Sequence, residues 1–233
     1  MNRYIPHLFG KRGYFTETKG YQVNTGYKWQ QPNYFYNERL IEQPFLFNYL
    51  RRPPLNVIDI GCAESMNPIQ LAMLGYDVIG IDMQDYGWKH PNFEFIKADF
   101  LDYNIADASF GAAVNISAIE HFGLLAYANM KEGPEADRKA VKKVYDILKP
   151  KGQFIFTAPY GKHDIIGNFE RIYDKRDLKY LLNGFSVRNK IFYDVQQKSI
   201  VRINEEEADE IEHNDLRYAV VCLDLQKKES LDD

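Results

Sequence analysis

LNVIDIGCAESMNPIQLAMLG, residues 55–75, decides how this chain is read. Its start, Val57-Ile58-Asp59-Ile60, is an apolar β-branched run too short for a helix and bounded by Pro53-Pro54 and Gly61, which is the pattern of a buried parallel strand. A small-residue turn follows at Gly61-Cys62-Ala63, and then a helix with Pro68 in its first turn and Gly75 at its C-terminal cap. Strand, tight turn and helix in that order bring backbone N–H groups close to a ligand at the crevice of an open α/β sheet. The dinucleotide pattern G-x-G-x-x-G is not met, because Ala63 and Met66 stand where glycines are wanted. Asp59 says more than the turn does. A carboxylate at the end of a buried strand is costly unless it meets a cation or several donors, and a ligand ammonium group would satisfy it.

Outward from this stretch, further strands follow at regular spacing. Residues 76–82 form a second buried strand ending in Asp82, 21 residues after Gly61. That is the spacing at which an acid accepts both hydroxyls of an adenosine ribose. A third strand, Phe93 to Lys97, leads into Asp99 and Phe100, an acceptor for an exocyclic amine beside a ring able to cover a base. The fourth, Phe110 to Ile116, ends in Ser117-Ala118-Ile119-Glu120-His121. A helix over 134–148 carries the apolar stripe Ala140, Val141, Val144, Tyr145, Leu148, and a fifth strand spans Gln153 to Ala158. A helix over 175–182 and strands Phe185 to Val195 and Arg217 to Gln226 complete the pattern. Seven acids between Asn204 and Asp215 read as a solvated helix or loop.

The expected fold is α/β: a Rossmann-like, seven-stranded, mostly parallel sheet flanked by helices, its last strand antiparallel, with an aromatic-rich N-terminal extension. Residues 1–52 are read as an N-terminal arm and helices, and 53–233 as the catalytic domain. The arm holds nine aromatic residues before Tyr36, and through Arg52 it has eight Lys/Arg against three acids. An arm packed on the domain or on a second subunit, a lid over a pocket, and an RNA-binding arm with stacking rings all fit that composition. Residues 34–50 are expected to be helical, kinked or split at Pro44.

The 233 residues suffice for one α/β domain with a real core. A net charge of −4 argues against a dedicated nucleic-acid binder. Cys62 and Cys222 have neither metal-type nor disulfide-type spacing, no apolar run reaches the ~20 residues of a membrane span, and no signal-peptide core is visible. A reducing cytoplasmic setting without membrane contact is the expectation.

With strand-end acids in series, the chain resembles the class I S-adenosylmethionine-dependent methyltransferases over about residues 55–160. VIDIGCAES is similar to the family's first motif, with Ala63 and Ser65 in place of its second and third glycines. GIDMQ, KADFLD and NISAIEH resemble the second, third and fourth motifs, and LKPKGQFIFTAPYG the segment after them. The resemblance implies S-adenosyl-L-methionine as cofactor. It assigns Asp59 and Gly61 to the methionine end, Asp82 to the ribose, Asp99 and Phe100 to the adenine, Asn115 to a backbone carbonyl that meets the cofactor amine, and Ser117 with His121 to the opening toward the acceptor; Cys62, Ala63, Met83 and Ser117 also count among the cofactor-binding residues. His121, His163 and Tyr160 are the candidate catalytic bases; His7, His90 and His213 read as ordinary surface residues; no metal site is expected. The NPPY-type signature of nucleic-acid amino methyltransferases is absent. YGKHDIIGNFERIYDKRDLKYLLNGF resembles the corresponding part of small-molecule methyltransferases found on cell-surface sugar pathways, in which Arg171 and Lys162 would face a phosphate or carboxylate. The implied reaction is methyl transfer to an oxygen, or less favourably a nitrogen, of a polar small molecule such as a nucleotide-linked or polysaccharide sugar in carbohydrate biosynthesis, by a chain that is a candidate homodimer. An RNA or protein methyltransferase and a non-catalytic cofactor-binding module are the alternatives.

Overall fold

The computed structural model of the chain describes residues 37–124, 133 and 135–229. The arm as far as Tyr36, with His7, lies outside the described residues. Helix α1 (Arg39–Tyr49) is followed by β1 (Asn56–Ile60), α2 (Asn67–Met73), β2 (Asp77–Asp82), β3 (Phe93–Lys97) and β4 (Phe110–Ile116). After a 3₁₀ turn at Ile119–His121 come α3 (Ala136–Ile147), β5 (Leu148–Tyr160), β6 (Asp164–Ile166), β7 (Glu170–Ile172) and α4 (Lys175–Leu181). Strands β8 (Phe185–Gln196) and β9 (Ser199–Ile203), helix α5 (Glu205–Asp209) and β10 (Arg217–Lys227) complete the order.

The main sheet runs β3-β2-β1-β4-β5-β10-β8-β9. Strands β1 to β5 pair in parallel, whereas β10 is antiparallel to both β5 and β8. The sheet thus has eight strands, one more than expected. The addition is β9, which folds back antiparallel on β8 as an outer edge; its SIVRI alternates too weakly to stand out in the sequence. Strands β6 and β7 form a separate antiparallel hairpin, also unexpected, since three residues per strand carry no period.

The parallel strands form because their β-branched and aromatic residues are covered on both faces. One face is closed by α3 through Ala140, Val141, Val144 and Ile147, together with Phe154, Phe156 and Phe185. The other is closed by α1 and α2 through Phe45, Leu46, Leu71 and Ala72 over Val57, Val78 and Val114. Helix α1 is one continuous helix with Pro44 inside it. Helix α4 starts at a reciprocal capping box between Asp174 and Asp177. The acidic segment after Asn204 is helical but not wholly solvated, for Ala208 and Ile211 are buried against the core. No helix among the described residues is long and apolar enough to cross a membrane.

Candidate active site

The parallel strands end on one edge of the sheet, where a cavity of about 500 Å³ opens. Gly61, Asp82, Met83, Asp99, Phe100, Ser117 and His121 all line it. Residues spread over sixty positions of sequence thus converge, because each follows a neighbouring parallel strand. Gly61 has φ +75°, and a Cβ there would stand 2.4 Å from the Ala118 side chain, so only glycine lets the β1 turn and the β4 loop touch.

Asp59, Cys62, Ala63 and Asn115 are not among the residues that line the cavity. The Asp59 carboxyl is buried and its Oδ2 has no hydrogen-bond partner. Burial, reinforced by the Asp82 charge and opposed by Arg39, pushes it up to about 8. The fully buried Asn115 donates from Nδ2 to the Ile60 carbonyl at 3.0 Å and accepts from the Ile119 amide at 3.2 Å, tying the end of β1 to the β4 loop. Asp82 accepts from the Ala63 amide at 2.9 Å and the Gln84 amide at 2.8 Å. It therefore fixes the glycine turn as well as facing the cavity. Asp99 accepts from the Leu101 amide at 2.8 Å. The Phe100 ring is buried, with Lys143 Nζ 5.0 Å from its centre. Cys62 is a buried free thiol, raised by burial.

The candidate bases separate. His121 lines the cavity, and its Nδ1 is 2.6 Å from the Phe169 carbonyl. A carbonyl only accepts, so Nδ1 carries the proton and Nε2 the lone pair. Burial lowers the His121 pKa, which favours that neutral form. His163 lies outside the cavity and pairs with Asp177 at 2.7 Å, half exposed. Tyr160 is fully buried, its hydroxyl donating to Asp209 and its ring 4.7 Å from Phe192. Burial, with Asp209, raises its pKa. Neither His163 nor Tyr160 is brought to the cavity with His121.

Three other expectations change. Arg171 is spent inside the protein, donating to the carbonyls of Glu120 and Phe122 at 3.0 and 2.6 Å, and so it braces the loop that carries His121. Lys162 pairs with Glu212 at 2.8 Å. His213 is no surface residue: its side chain is 14% exposed, lies 3.3 Å from Glu170 and stacks on Tyr218.

The sequence reading missed Arg39 and Glu42. Arg39 lines the cavity. Glu42, 0% exposed, accepts from Arg39 and from Thr157 at 2.7 Å each, and from the Ser117 hydroxyl. Burial pushes the Glu42 carboxyl up against the pull of Arg39. This network holds Ser117 at φ +44°, a left-handed conformation costly for a non-glycine residue. A signal existed: Glu42 sits on the same helical stripe as Phe45, Leu46 and Tyr49, where a lone acid needs a buried partner. Glu120 was missed as an acid; its carboxyl is 1% exposed with Oε2 unpartnered, and burial holds it well above the usual carboxylate range.

Among the described residues no group of three or more His, Cys, Asp or Glu is arranged to hold a metal ion. An anionic edge, a buried unpartnered carboxyl and a glycine-only approach fit a nucleoside bearing an ammonium group. No curated protein matches the chain. Among solved structures, it is similar to the 1,6-didemethyltoxoflavin-N1-methyltransferase of Burkholderia thailandensis, solved with 1,6-didemethyltoxoflavin and S-adenosylhomocysteine. That match has 16% identity and a TM-score of 0.55, over 81% of this chain and 77% of that one. A putative methyltransferase from Bacillus halodurans matches at 12% identity and TM-score 0.58, over 81% and 99%. The [4+2]-cyclase SpnF matches at 15% and 0.58, over 90% and 86%. At these identities the likeness is one of fold, and it is the Rossmann-like class I methyltransferase fold. A family model described as "Caenorhabditis protein of unknown function, DUF268" matches residues 91–226, more than half of the chain, and the chain belongs to that family.

Proposed function

We propose that this chain transfers a methyl group from S-adenosyl-L-methionine to an oxygen of a polar small molecule, with a nucleotide-linked or polysaccharide sugar as the acceptor class. The observation that carries the reading is the unpartnered, buried Asp59 carboxyl beside the glycine turn of a cavity that Asp82 and Asp99 also line. Asp59 would accept from the ammonium of the methionine end, and Arg39 would face its carboxylate. Asp82 would accept the ribose hydroxyls, Asp99 the adenine amine, and Phe100 would border the base. When bound, the cofactor supplies a methyl group on a positively charged sulfur, an electrophile that needs no further activation.

The chain's own task is then positioning and proton removal. Holding an acceptor in line is worth up to ~7–11 kcal/mol in favourable cases. His121 would take the acceptor hydroxyl's proton at Nε2, since its Nδ1–H is committed to the Phe169 carbonyl, and general base catalysis of this kind contributes about 10²–10⁴-fold. His121→Ala is therefore expected to lower kcat on that scale while leaving cofactor affinity within about twofold; wild-type turnover would remove His121 as the base. His163 and Tyr160 have no part in this scheme.

The proposed setting is a reducing cytoplasm, which two buried free thiols suit. Incubation of the chain with tritiated cofactor and panels of sugar nucleotides, polysaccharide extracts, amines and RNA tests the reading. Label in the sugar fraction is the expected result; label confined to RNA or protein, or to no acceptor, contradicts it. Asp82→Ala should weaken S-adenosylhomocysteine binding at least tenfold, since bonds to a charged acceptor are worth about 1.5–3 kcal/mol. Unchanged affinity by calorimetry would count against the ribose role.

A further inference from the structure

A second concavity, of about 610 Å³, lies between α3 and α4. It shares no lining residue with the first cavity. Four cations, Arg138, Lys142, Arg176 and Lys179, and two tyrosines, Tyr145 and Tyr180, line it, and no Asp or Glu does. In a chain of net charge −4 the lining is cationic, with Glu135, Asp146 and Asp174 beside three of the cations just outside it. The rings are already used as cation platforms: the Arg138 guanidinium lies 4.3 Å from the Tyr180 ring centre, and Lys227 Nζ lies 4.4 Å from that of Tyr145. Tyr180 is 65% exposed. Beneath lies an apolar floor of Val141, Leu181 and Phe185, each buried.

We propose that the α3–α4 groove is a second ligand site, for a nucleoside polyphosphate. A flat ring would lie against the exposed Tyr180 side chain, and the phosphates would meet the cations. Three cations have acidic neighbours outside the groove, Arg138 with Glu135, Lys142 with Asp146 and Arg176 with Asp174. Exposed pairs of this kind are worth about 0–1 kcal/mol, so a polyphosphate competes for those cations at little cost. Lys179 makes no ion pair among the described residues, and its charge is available outright. An acidic peptide would use the cations but need bring no flat ring to the exposed Tyr180 side chain, which favours the nucleotide.

The test is calorimetric titration of the full chain with ATP, alone and with S-adenosylhomocysteine at saturation. ATP is expected to bind in both cases, and the double variant Arg176→Glu/Lys179→Glu is expected to lose about tenfold or more in ATP affinity, about 1.4 kcal/mol. Tyr180→Ala, which changes an exposed side chain, is expected to weaken ATP but not inorganic pyrophosphate. Both variants should keep the wild-type melting temperature and wild-type S-adenosylhomocysteine affinity. Absence of ATP binding overturns the proposal, as does ATP displaced by S-adenosylhomocysteine, which would assign it to the first cavity. Pyrophosphate or an acidic peptide binding as tightly as ATP also overturns it, the groove then being a general anion surface. Because the loss in the groove variants is read as ATP affinity in the titration without S-adenosylhomocysteine, with melting temperature as the folding control, failure of the methyltransferase reading leaves that result interpretable.

Discussion

Asp59→Asn is expected to weaken S-adenosylhomocysteine binding by roughly 10–100-fold and to abolish a proton release that accompanies binding to the wild type. Asp59 is 2% exposed, its Oδ2 meets no donor, and burial with the nearby Asp82 charge pushes it up to about 8. At pH 7 the free protein therefore carries this group mainly as the neutral acid. An ammonium seated against it favours the carboxylate, so the proton must leave as the ligand arrives. Calorimetry at pH 7 in two buffers of different ionisation enthalpy should show net proton release on binding, in the direction that the raised pKa of Asp59 requires. Affinity should rise with pH and level off above about 8. The same shift has a stability signature in the free protein. The folded state holds this proton more tightly than the unfolded state, so the stabilisation is complete below the ordinary carboxylate pKa of about 3.9 and is lost as pH rises through the folded value. Melting temperature should fall across that window in the wild type, and less steeply in Asp59→Asn. Binding without proton exchange at pH 7 would sink the assignment.

Glu42→Ala is expected to destabilise the fold by about 3 kcal/mol, the lower end of the 3–5 kcal/mol range for breaking a buried ion pair. The lower end applies because the Arg39 side chain is 31% exposed and water can take over part of its solvation. What remains buried is costly: the Thr157 hydroxyl loses its 2.7 Å acceptor, and the Ser117 hydroxyl loses its own. For a domain of this size the loss corresponds to a fall of about 6–12 °C in melting temperature. Ser117 would also lose the contact that helps hold its left-handed backbone at the cavity wall, so cofactor affinity should fall with stability. Glu42→Gln, which keeps the shape and whose Oε1 can still accept both hydroxyls while the ion pair with Arg39 is lost, should lose less on both counts. A Glu42→Ala protein melting with the wild type would show that the network contributes nothing to the fold.

Most of the α/β frame was legible because parallel strands buried on both faces need uninterrupted apolar runs, and VIDI, DVIGID and AAVNI are such runs. The strand-end acids were legible for a related reason. A carboxylate closing an apolar strand is a local anomaly, visible without knowing what surrounds it. The edge strand β9 and the β6–β7 hairpin were not legible, since half-exposed segments of three to five residues leave no periodic signature.

Tyr160 shows where the sequence stops. It belongs to a run of buried residues through the second half of β5, and when both faces of a central strand are covered, alternation no longer tells which side a residue occupies. The partner in space, Asp209 at the end of α5, decides that. The places of the parallel strands along the chain, the glycine turn and the three acids were determined by the sequence itself, because each is a property of adjacent residues. Contacts between residues 75 to 115 positions apart, Glu42 with Ser117 and with Thr157, were decided only by the tertiary structure. Adjacent residues cannot encode such pairings, since the helix and the strands meet only when the sheet buries its second face.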